Sequence, residues 1–153
     1  MCFAATDHDG EFEFNYSDAS YCNGGFFQSL QNKKHGYNYI IKVQGKNLED
    51  VLRKEYNDLL PKLSLIKIDA EGYDKEIIRS LKNIILQYRP NIISECYKNL
   101  TAEERADLFS LLDRFNYSVK KLEGFTVTAK PSDILHAGEM MKWQHFDLVA
   151  TPK

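Results

Sequence analysis

The sequence predicts an α/β fold with a mostly parallel sheet, an antiparallel edge and helices on both faces of the sheet. In the middle of the chain, short β-branched runs alternate with segments of helical periodicity, as in parallel strands joined by helices. One of these runs, Leu63–Ile68, is mostly apolar, which is typical of a strand that is buried on both faces. Beyond Phe115, strand-like segments follow one another with little helix between them, which favours the antiparallel edge.

Length and composition indicate one globular domain spanning residues 1–153, with 43% hydrophobic and 27% charged residues. Lys and Arg number 20 and Asp and Glu 22, so the net charge is −2, which argues against nucleic-acid and anionic-membrane partners. The sequence has neither a signal peptide nor an apolar run of about 18 residues, so we expect a cytoplasmic protein. The three cysteines form no CxxC pair and are expected to be free thiols.

The first part of the chain predicts two strands around a loop. Met1–Thr6 is apolar and is typical of the end of a strand. After a turn at Asp9–Gly10, residues Glu11–Tyr16 alternate with period two, which indicates a half-buried strand. Ser17–Gly36 is rich in Ser, Asn and Gly and predicts a loop or lid, and Tyr37–Val43 predicts the next strand.

A helix is predicted next, because Asn47 can cap its first turn. Pro61 follows the expected end of this helix. Its apolar face is predicted to comprise Leu48, Val51, Leu52, Tyr56 and Leu59.

The central segment predicts a strand–helix–strand unit. Leu63–Ile68 is the first strand, Arg89–Pro90 ends the helix, and Asn91–Glu95 is the second strand. The apolar residues of the helix recur at helical spacing: Ile77, Ile78, Leu81, Ile84, Ile85 and Tyr88.

The last third predicts one helix followed by strands. Thr101–Glu104 has the pattern of a capping box. Strands are predicted at Tyr117–Lys121, Phe125–Ala129 and Phe146–Ala150. One face of the helix carries Leu108, Leu111, Leu112 and Phe115.

Three carboxylates follow the two central strands and are the candidate functional residues. Asp69 and Glu71 come directly after the first strand, and Glu95 ends the second. Ligands of open α/β sheets bind beyond the carboxyl ends of the strands, so the three could converge on one crevice. Asp69 could equally cap the next helix, and Glu71 could favour its dipole. Their oxygens suit magnesium or calcium, but we predict no metal.

Other polar and aromatic residues are weaker candidates. His35 lies in the predicted loop and could act as a base, but a solvated role is the simpler expectation. His136 and His145 are expected to be structural, and Lys67 is expected to project toward the sheet edge or to pair with a carboxylate. Aromatic residues around the loop could stack on a sugar ring or cap the edge of the core: Tyr16, Tyr21, Phe26, Phe27, Tyr37 and Tyr39.

The central segment resembles the FkbM family of S-adenosylmethionine-dependent methyltransferases. The family's strand L-I-K-I-D-x-E-G stands here as LIKIDAEG over residues 65–72, and its R-P-x-I-I-x-E stands as RPNIISE over residues 89–95. Residues 4–14, 42–52 and 145–150 resemble further family segments, so the likeness covers nearly the whole chain.

The resemblance implies a partial Rossmann-like class I methyltransferase fold and an O-methyltransferase that acts on a hydroxyl group, with a sugar or glycan as the expected acceptor. It implies S-adenosylmethionine as cofactor, contacted by Ala4, Ala5 and Thr6 at the end of the family's third strand and by Asp69. Asp69 is then the first candidate for the base that takes the hydroxyl proton, and Glu71 and Glu95 are the second candidates.

The same alignment places Met1 inside the family's third strand, so we expect the domain to lack the first two strands and the Gly-rich turn of the full fold. Gly24–Gly25 is expected to be a flexible loop and not that turn. An alternative function is therefore a truncated or degenerate domain that does not bind cofactor alone. Such a domain would act as an interaction module, as a homodimer, or with a separate N-terminal chain.

Overall fold

The structure is a computed structural model that describes residues 2–16, 24–25, 39–124, 130–134 and 136–153. None of the helices in these ranges is long and apolar enough to cross a membrane. The strands are β1 Ala4–Thr6, β2 Gly10–Tyr16, β3 Gly24–Gly25, β4 Tyr39–Asn47, β5 Leu65–Ile68, β6 Asn91–Cys96, β7 Tyr117–Leu122, β8 Ser132–Ile134 and β9 Phe146–Pro152. The helices are α1 Leu48–Glu55, α2 Asp74–Ser80, α3 Lys82–Tyr88 and α4 Ala102–Arg114, with 3₁₀ segments at Asn57–Lys62 and Ala137–Met141.

The first sheet has the strand order β1-β4-β2-β3. Strand β1 runs parallel to β4, and β2 pairs with β4 along its whole length in antiparallel register, from Gly10 opposite Gly45 to Tyr16 opposite Tyr39. The strands expected near Met1–Thr6, Glu11–Tyr16 and Tyr37–Val43 are confirmed as β1, β2 and β4. The expectation of a flexible loop at Gly24–Gly25 is wrong, because these residues pair with the end of β2 as β3.

The second sheet has the order β5-β6-β9-β7-β8. Only β5 and β6 run parallel, whereas β9 is antiparallel to both of its neighbours, and β8 is antiparallel to β7. The prediction of a mostly parallel sheet is therefore wrong for the described residues, where both sheets are mixed. The reason is that β9 lies antiparallel between β6 and β7. The antiparallel part that was expected at the edge therefore reaches the middle of the sheet.

Strand β5 is less buried than its apolar sequence predicts. Among the described residues it pairs with β6 alone, so it forms an edge of the sheet. Leu65 is 50% exposed and Lys67 is exposed, whereas Ile68 is buried. The parallel pairing is confirmed, but the strand is not covered on both faces.

The hydrophobic core lies on one face of the second sheet. Register places Ile92, Ala150 and Val119 side by side on that face, and all three are buried. Because α2 packs against both α1 and α4, and α3 continues from α2 beside the end of α4, the described helices form one layer. The expectation of helices on both faces is thus not met by these parts of the chain.

Two of the predicted helix caps are confirmed, whereas Asp69 does not cap α2, whose N-cap residue is Tyr73. The Asn47 side chain accepts a hydrogen bond from the Asp50 amide at the start of α1. Thr101 and Glu104 form both bonds of the capping box at the start of α4. Helix α1 ends earlier than expected, so Tyr56 and Leu59 are exposed, and Leu60 in the following 3₁₀ segment is the buried residue.

The predicted helix between β5 and β6 is broken at Leu81 into α2 and α3. Arg89 ends α3 in a left-handed conformation, with φ of 53°. Its guanidinium donates hydrogen bonds to the carbonyl oxygens of Phe115 and Asn116, and it stacks over the Tyr117 ring at 4.6 Å. Arg89 therefore fastens the end of α3 to the turn that precedes β7.

Several expectations fall outside the described residues. These are the loop Ser17–Gly36 apart from Gly24–Gly25, the strand Phe125–Ala129, His35, and the aromatic side chains proposed to surround the loop. Of the cysteines, Cys2 and Cys96 are free, as expected, and Cys96 is buried in the core.

Candidate functional site

The ends of three strands of the second sheet meet at one edge. Asp69 follows the carboxyl end of β5, Glu95 lies near the carboxyl end of β6, and His145 precedes β9. Because β9 runs antiparallel to β6, its first residues lie at the edge where β6 ends. This topology brings Asp69 and Glu95 to one edge of the sheet, as expected. It also brings His145 to the same edge.

Asp69 is the most exposed of the predicted carboxylates, with 56% of its side chain accessible. Its Oδ2 accepts a hydrogen bond from the Lys67 ammonium at 2.9 Å. This bond raises the pKa of Lys67. The expected pairing of Lys67 with a carboxylate is confirmed, and Asp69 is available to a ligand from solvent.

Glu71 occupies a tight turn between β5 and α2. Its φ is 50° and that of Gly72 is 102°, and only glycine adopts such left-handed angles without strain. Burial raises the pKa of Tyr97, and the nearby hydrogen-bonded carboxylate of Glu71 raises it further. The strained turn therefore directs Glu71 towards the residue that follows β6.

Glu95 is the buried carboxylate of the site. Only 8% of its side chain is exposed, and its Oε1 lies 3.3 Å from Nε2 of His145. Burial raises the pKa of Glu95 to about 7, and the negative charges of Glu71, Asp69, Asp74 and Asp147 add to the effect. Among the described residues, its Oε2 is the buried side-chain oxygen or nitrogen without a hydrogen-bond partner. The carboxyl group therefore exchanges a proton near neutral pH.

A second buried carboxylate, Asp74, holds the ends of β5 and β6 together. Its Oδ1 accepts hydrogen bonds from the Ser94 hydroxyl and the Glu95 amide, both at 3.0 Å. Its Oδ2 accepts one from the Ala70 amide at 3.2 Å. Burial raises the pKa of Asp74 despite these bonds. With its oxygens committed to the backbone and to Ser94, Asp74 is a positioning residue.

Arg105 of α4 is a buried cation that organises the segments around the site. Its guanidinium donates to the carbonyl oxygens of Tyr97 at 3.1 Å and of Gln144 at 2.6 Å. It also reaches the carbonyl oxygens of Leu100, Met140 and Trp143. The residue after β6 and the residue before His145 are thus held by one side chain.

The end of β1 supplies the opposite side of the candidate site. Asp7 accepts a hydrogen bond from the Tyr73 hydroxyl at 3.2 Å and contacts Nδ1 of His8 at 2.8 Å. Partial burial tends to raise the pKa of Asp7, but these hydrogen bonds hold it below its usual value. Burial and the Asp7 carboxylate raise the pKa of Tyr73 to about 12. Asp7 is therefore a fixed negative charge that links the two sheets.

A cleft of about 1010 Å³ lies between the two sheets. That volume is at the upper end of the range for small-molecule sites. The predicted cofactor residues Ala4, Ala5 and Thr6 are not among its lining residues, nor is Asp69. Thr6 is fully buried, and its hydroxyl donates to the carbonyl oxygen of His8. The lining includes Asp7, His8, Phe12 and Glu13 from the first sheet and Glu71, Tyr73, Tyr97 and Asn99 from the second.

The carboxylates do not form a metal site in the described part of the chain, where no group of three or more His, Cys, Asp or Glu residues is arranged to hold an ion. Asp69 is paired with Lys67, and Glu95 faces His145.

Sequence reasoning did not identify Asp7, Tyr97 or Arg105, and it assigned His145 a structural role. Asp7 could have been found, because it directly follows a strand end just as Asp69 does. Nothing local to Arg105 or His145 indicates their neighbours, because both depend on how β9 is inserted between β6 and β7.

Comparison with known proteins gives one family. The model of the family described as "Methyltransferase FkbM domain" matches residues 2–119. Neither a curated protein nor a solved structure matches the chain significantly. The matched residues include the carboxylates at the ends of β5 and β6, whereas His145 lies beyond them.

Proposed function

The chain belongs to the FkbM methyltransferase family, and on that premise we propose that it transfers a methyl group from S-adenosylmethionine to a hydroxyl oxygen, with sugars or glycans as the acceptor class. The observation that carries the proposal is Glu95. A buried carboxyl group with a pKa of about 7 at a strand end suits uptake of the proton that a hydroxyl releases on methylation. We expect this reaction in the cytoplasm.

The cleft between the sheets fits the proposed cofactor in the chemistry of its donors. Asp7, Glu13 and Glu71 supply carboxylates that would attract a cation and accept hydrogen bonds from ribose hydroxyls, and Phe12 and Tyr73 supply aromatic surface. When bound, S-adenosylmethionine supplies an electrophilic methyl group. The residues that the family resemblance assigns to the cofactor, Ala4, Ala5, Thr6 and Asp69, do not line this cleft, so the proposed contacts come from Asp7, Glu13 and Glu71.

The acceptor hydroxyl would lie at the ends of β5 and β6. Asp69, exposed to solvent beside Lys67, would accept a hydrogen bond from a neighbouring hydroxyl of the acceptor and orient it. Glu71 and Tyr97 would border the same position. Glu95 would hold the released proton, because burial raises the pKa of its carboxyl group to about 7.

Two measurements on the purified chain test this function. Calorimetry with S-adenosylmethionine and S-adenosylhomocysteine should give micromolar binding, weakened at least tenfold in Asp7→Asn. Transfer of a tritiated methyl group to a panel of neutral monosaccharides should then fall by about 10²-fold in Glu95→Gln. Asp113→Asn, an exposed carboxylate on α4 that pairs with Lys153 outside the cleft, is the matched control and should change neither quantity.

The outcomes separate the candidate residues. If Asp69→Asn abolishes transfer and Glu95→Gln does not, Asp69 is the base. If the folded chain binds neither cofactor nor product, the methyl-transfer proposal is wrong.

A second candidate function is an interaction module, favoured by the edge of β5. The strand exposes Leu65 and Lys67 and pairs on one side alone among the described residues. Such an edge can accept a further strand from a second copy or from a separate chain. Sedimentation of the wild-type chain and of Leu65→Pro tests this, because proline would block strand addition. A monomer at all concentrations would contradict the homodimer.

A further inference from the structure

We infer that His145 is the group that contacts the acceptor hydroxyl and relays its proton to Glu95. The inference rests on the proposed methyl-transfer function and deepens it. The matched family segment ends before His145, so the family match does not assign this residue a role.

The low solvent exposure of the Glu95 side chain makes a relay necessary. With only 8% of its side chain exposed, Glu95 offers almost no surface to an acceptor, and its Oε1 already faces Nε2 of His145 at 3.3 Å. His145 has 49% of its side chain exposed, so its imidazole spans the distance between solvent and the buried carboxylate. A hydroxyl that approaches this edge therefore meets the imidazole before it meets Glu95.

The backbone holds the pair in place from two directions. Arg105 fixes the carbonyl oxygen of Gln144, the residue before His145, and Asp74 fixes the amide of Glu95. Tyr97 packs edge-on against the imidazole, with ring centroids 6.4 Å apart and an interplanar angle of 79°. The 3.3 Å separation is slightly longer than a hydrogen bond, as is common in enzymes without substrate.

In the proposed reaction, two protons move and one methyl group is transferred. The O–H bond of the acceptor breaks, and its proton passes to Nδ1 of His145. The acceptor oxygen forms the new C–O bond, while the bond from the methyl carbon to sulfur breaks and its electron pair stays on sulfur. The proton that Nε2 carried passes to Oε1 of Glu95. The imidazole is thus neutral before and after the relay.

Charges around the pair favour positive charge on the imidazole during the transfer. The charges with the largest effect on Glu95 are carboxylates from the neighbouring elements: Asp69 after β5, Glu71 in the turn, Asp74 in α2 and Asp147 in β9. The ionisable side chains of Cys96 and Tyr97 also interact electrostatically with Glu95. Lys67 lies beside them but is bound to Asp69. A buried carboxylate that orients an imidazole and stabilises its protonated form is a recurrent arrangement for general bases.

The first test is independent of cofactor and acceptor. Nitrogen-15 NMR of the full chain should show that His145 carries its proton on Nε2, facing Glu95, and that this preference is lost in Glu95→Gln. A neutral His145 that carries its proton on Nδ1 would overturn the relay, because Nδ1 could then not accept the hydroxyl proton. His136, which is also exposed, supplies the reference signal, and it should not respond to Glu95→Gln.

The second test is kinetic. His145→Ala and His145→Gln should lower methyl transfer to the monosaccharide panel by about 10²-fold without changing S-adenosylmethionine binding. Added imidazole should restore transfer in His145→Ala, which a merely structural role would not allow. In the wild type, transfer should rise with pH through about 7, as Glu95 loses its proton and can accept one from His145. His136→Gln should behave as the wild type.

The outcomes distinguish a failure of the His145 relay from a failure of the methyltransferase function. Full transfer in His145→Ala together with loss in Glu95→Gln overturns the relay and leaves the methyltransferase function standing. A folded wild-type chain that transfers no methyl group overturns both. Circular dichroism of each variant separates a loss of transfer from a loss of folding.

Discussion

The guanidinium of Arg105 lies 2.6 Å from the carbonyl oxygen of Gln144, although 39 residues separate the two along the chain. Arg105 is buried, and its hydrogen bonds within the described part of the chain all go to backbone carbonyl oxygens. A single cation thus connects the start of α4 to the segment that leads into β9.

Replacing Arg105 should therefore destabilise the whole domain. We expect Arg105→Met to lower the free energy of unfolding by about 3 kcal/mol, because several buried carbonyl oxygens lose their donor. Urea unfolding measures the change. Arg114→Met, an exposed arginine on the same helix, should stay within about 0.5 kcal/mol of the wild type, and equal losses in both variants would contradict the role of Arg105.

Glu95 should make the stability of the domain depend on pH. Its pKa in the folded state is about 7, above the usual 4.5, so the folded state holds a proton that the unfolded state has released between these values. Its contribution to stability is therefore present below about pH 4.5 and is lost as pH rises to about 7. Glu95→Gln should be more stable than the wild type at pH 8 by roughly 2 kcal/mol and should approach it at pH 4. Parallel stability curves from pH 4 to 8 would refute this.

Asp74 should matter for stability through its three accepted hydrogen bonds. Asp74→Ala leaves the amides of Ala70 and Glu95 without a partner, and we expect a loss of about 3 kcal/mol. Ser94→Ala removes one donor only and should cost about 1 kcal/mol. Thermal unfolding of both variants gives the comparison, and a larger loss in Ser94→Ala would show that the bonds to the backbone contribute little.

Gly45 should be intolerant of a side chain. A Cβ atom at this position would lie 2.6 Å from the Thr6 hydroxyl oxygen and closer still to the Phe12 ring. Gly45→Ala should cost about 2 kcal/mol and should weaken S-adenosylmethionine binding, because Phe12 lines the cleft. Gly10→Ala is the matched control in the same pair of strands, where the new atom would make ordinary contacts of 3.5 Å or more. Calorimetry and urea unfolding of the two variants test both effects.

Predictions from sequence held where local chemistry determines the structure. The Asn47 cap, the capping box at Thr101 and the end of α3 at Arg89 each depend on residues within one or two turns. Predictions were wrong where the structure depends on contacts between residues that are distant in the sequence. The apolar sequence of β5 could not reveal that Leu65 lies at an edge, because burial depends on which strands pair with it.

The candidate site, too, could be predicted from the sequence only in part. The motif order placed Asp69 and Glu95 at the ends of adjacent strands, and parallel pairing of β5 and β6 is what the order predicts. The sequence could not rank them, because the burial that raises the pKa of Glu95 comes from the packing of other elements around it. His145 reaches Glu95 only because β9 runs antiparallel to β6.

The position of β9 also determines when the domain can fold during its synthesis. Among the described strands, β6 and β7 do not pair with each other and are joined through β9. A nascent chain on the ribosome therefore carries β6 and β7 with unpaired edges until residues 146–152 emerge from the exit tunnel. The same residues follow directly on His145, so closure of the second sheet and placement of His145 beside Glu95 occur together.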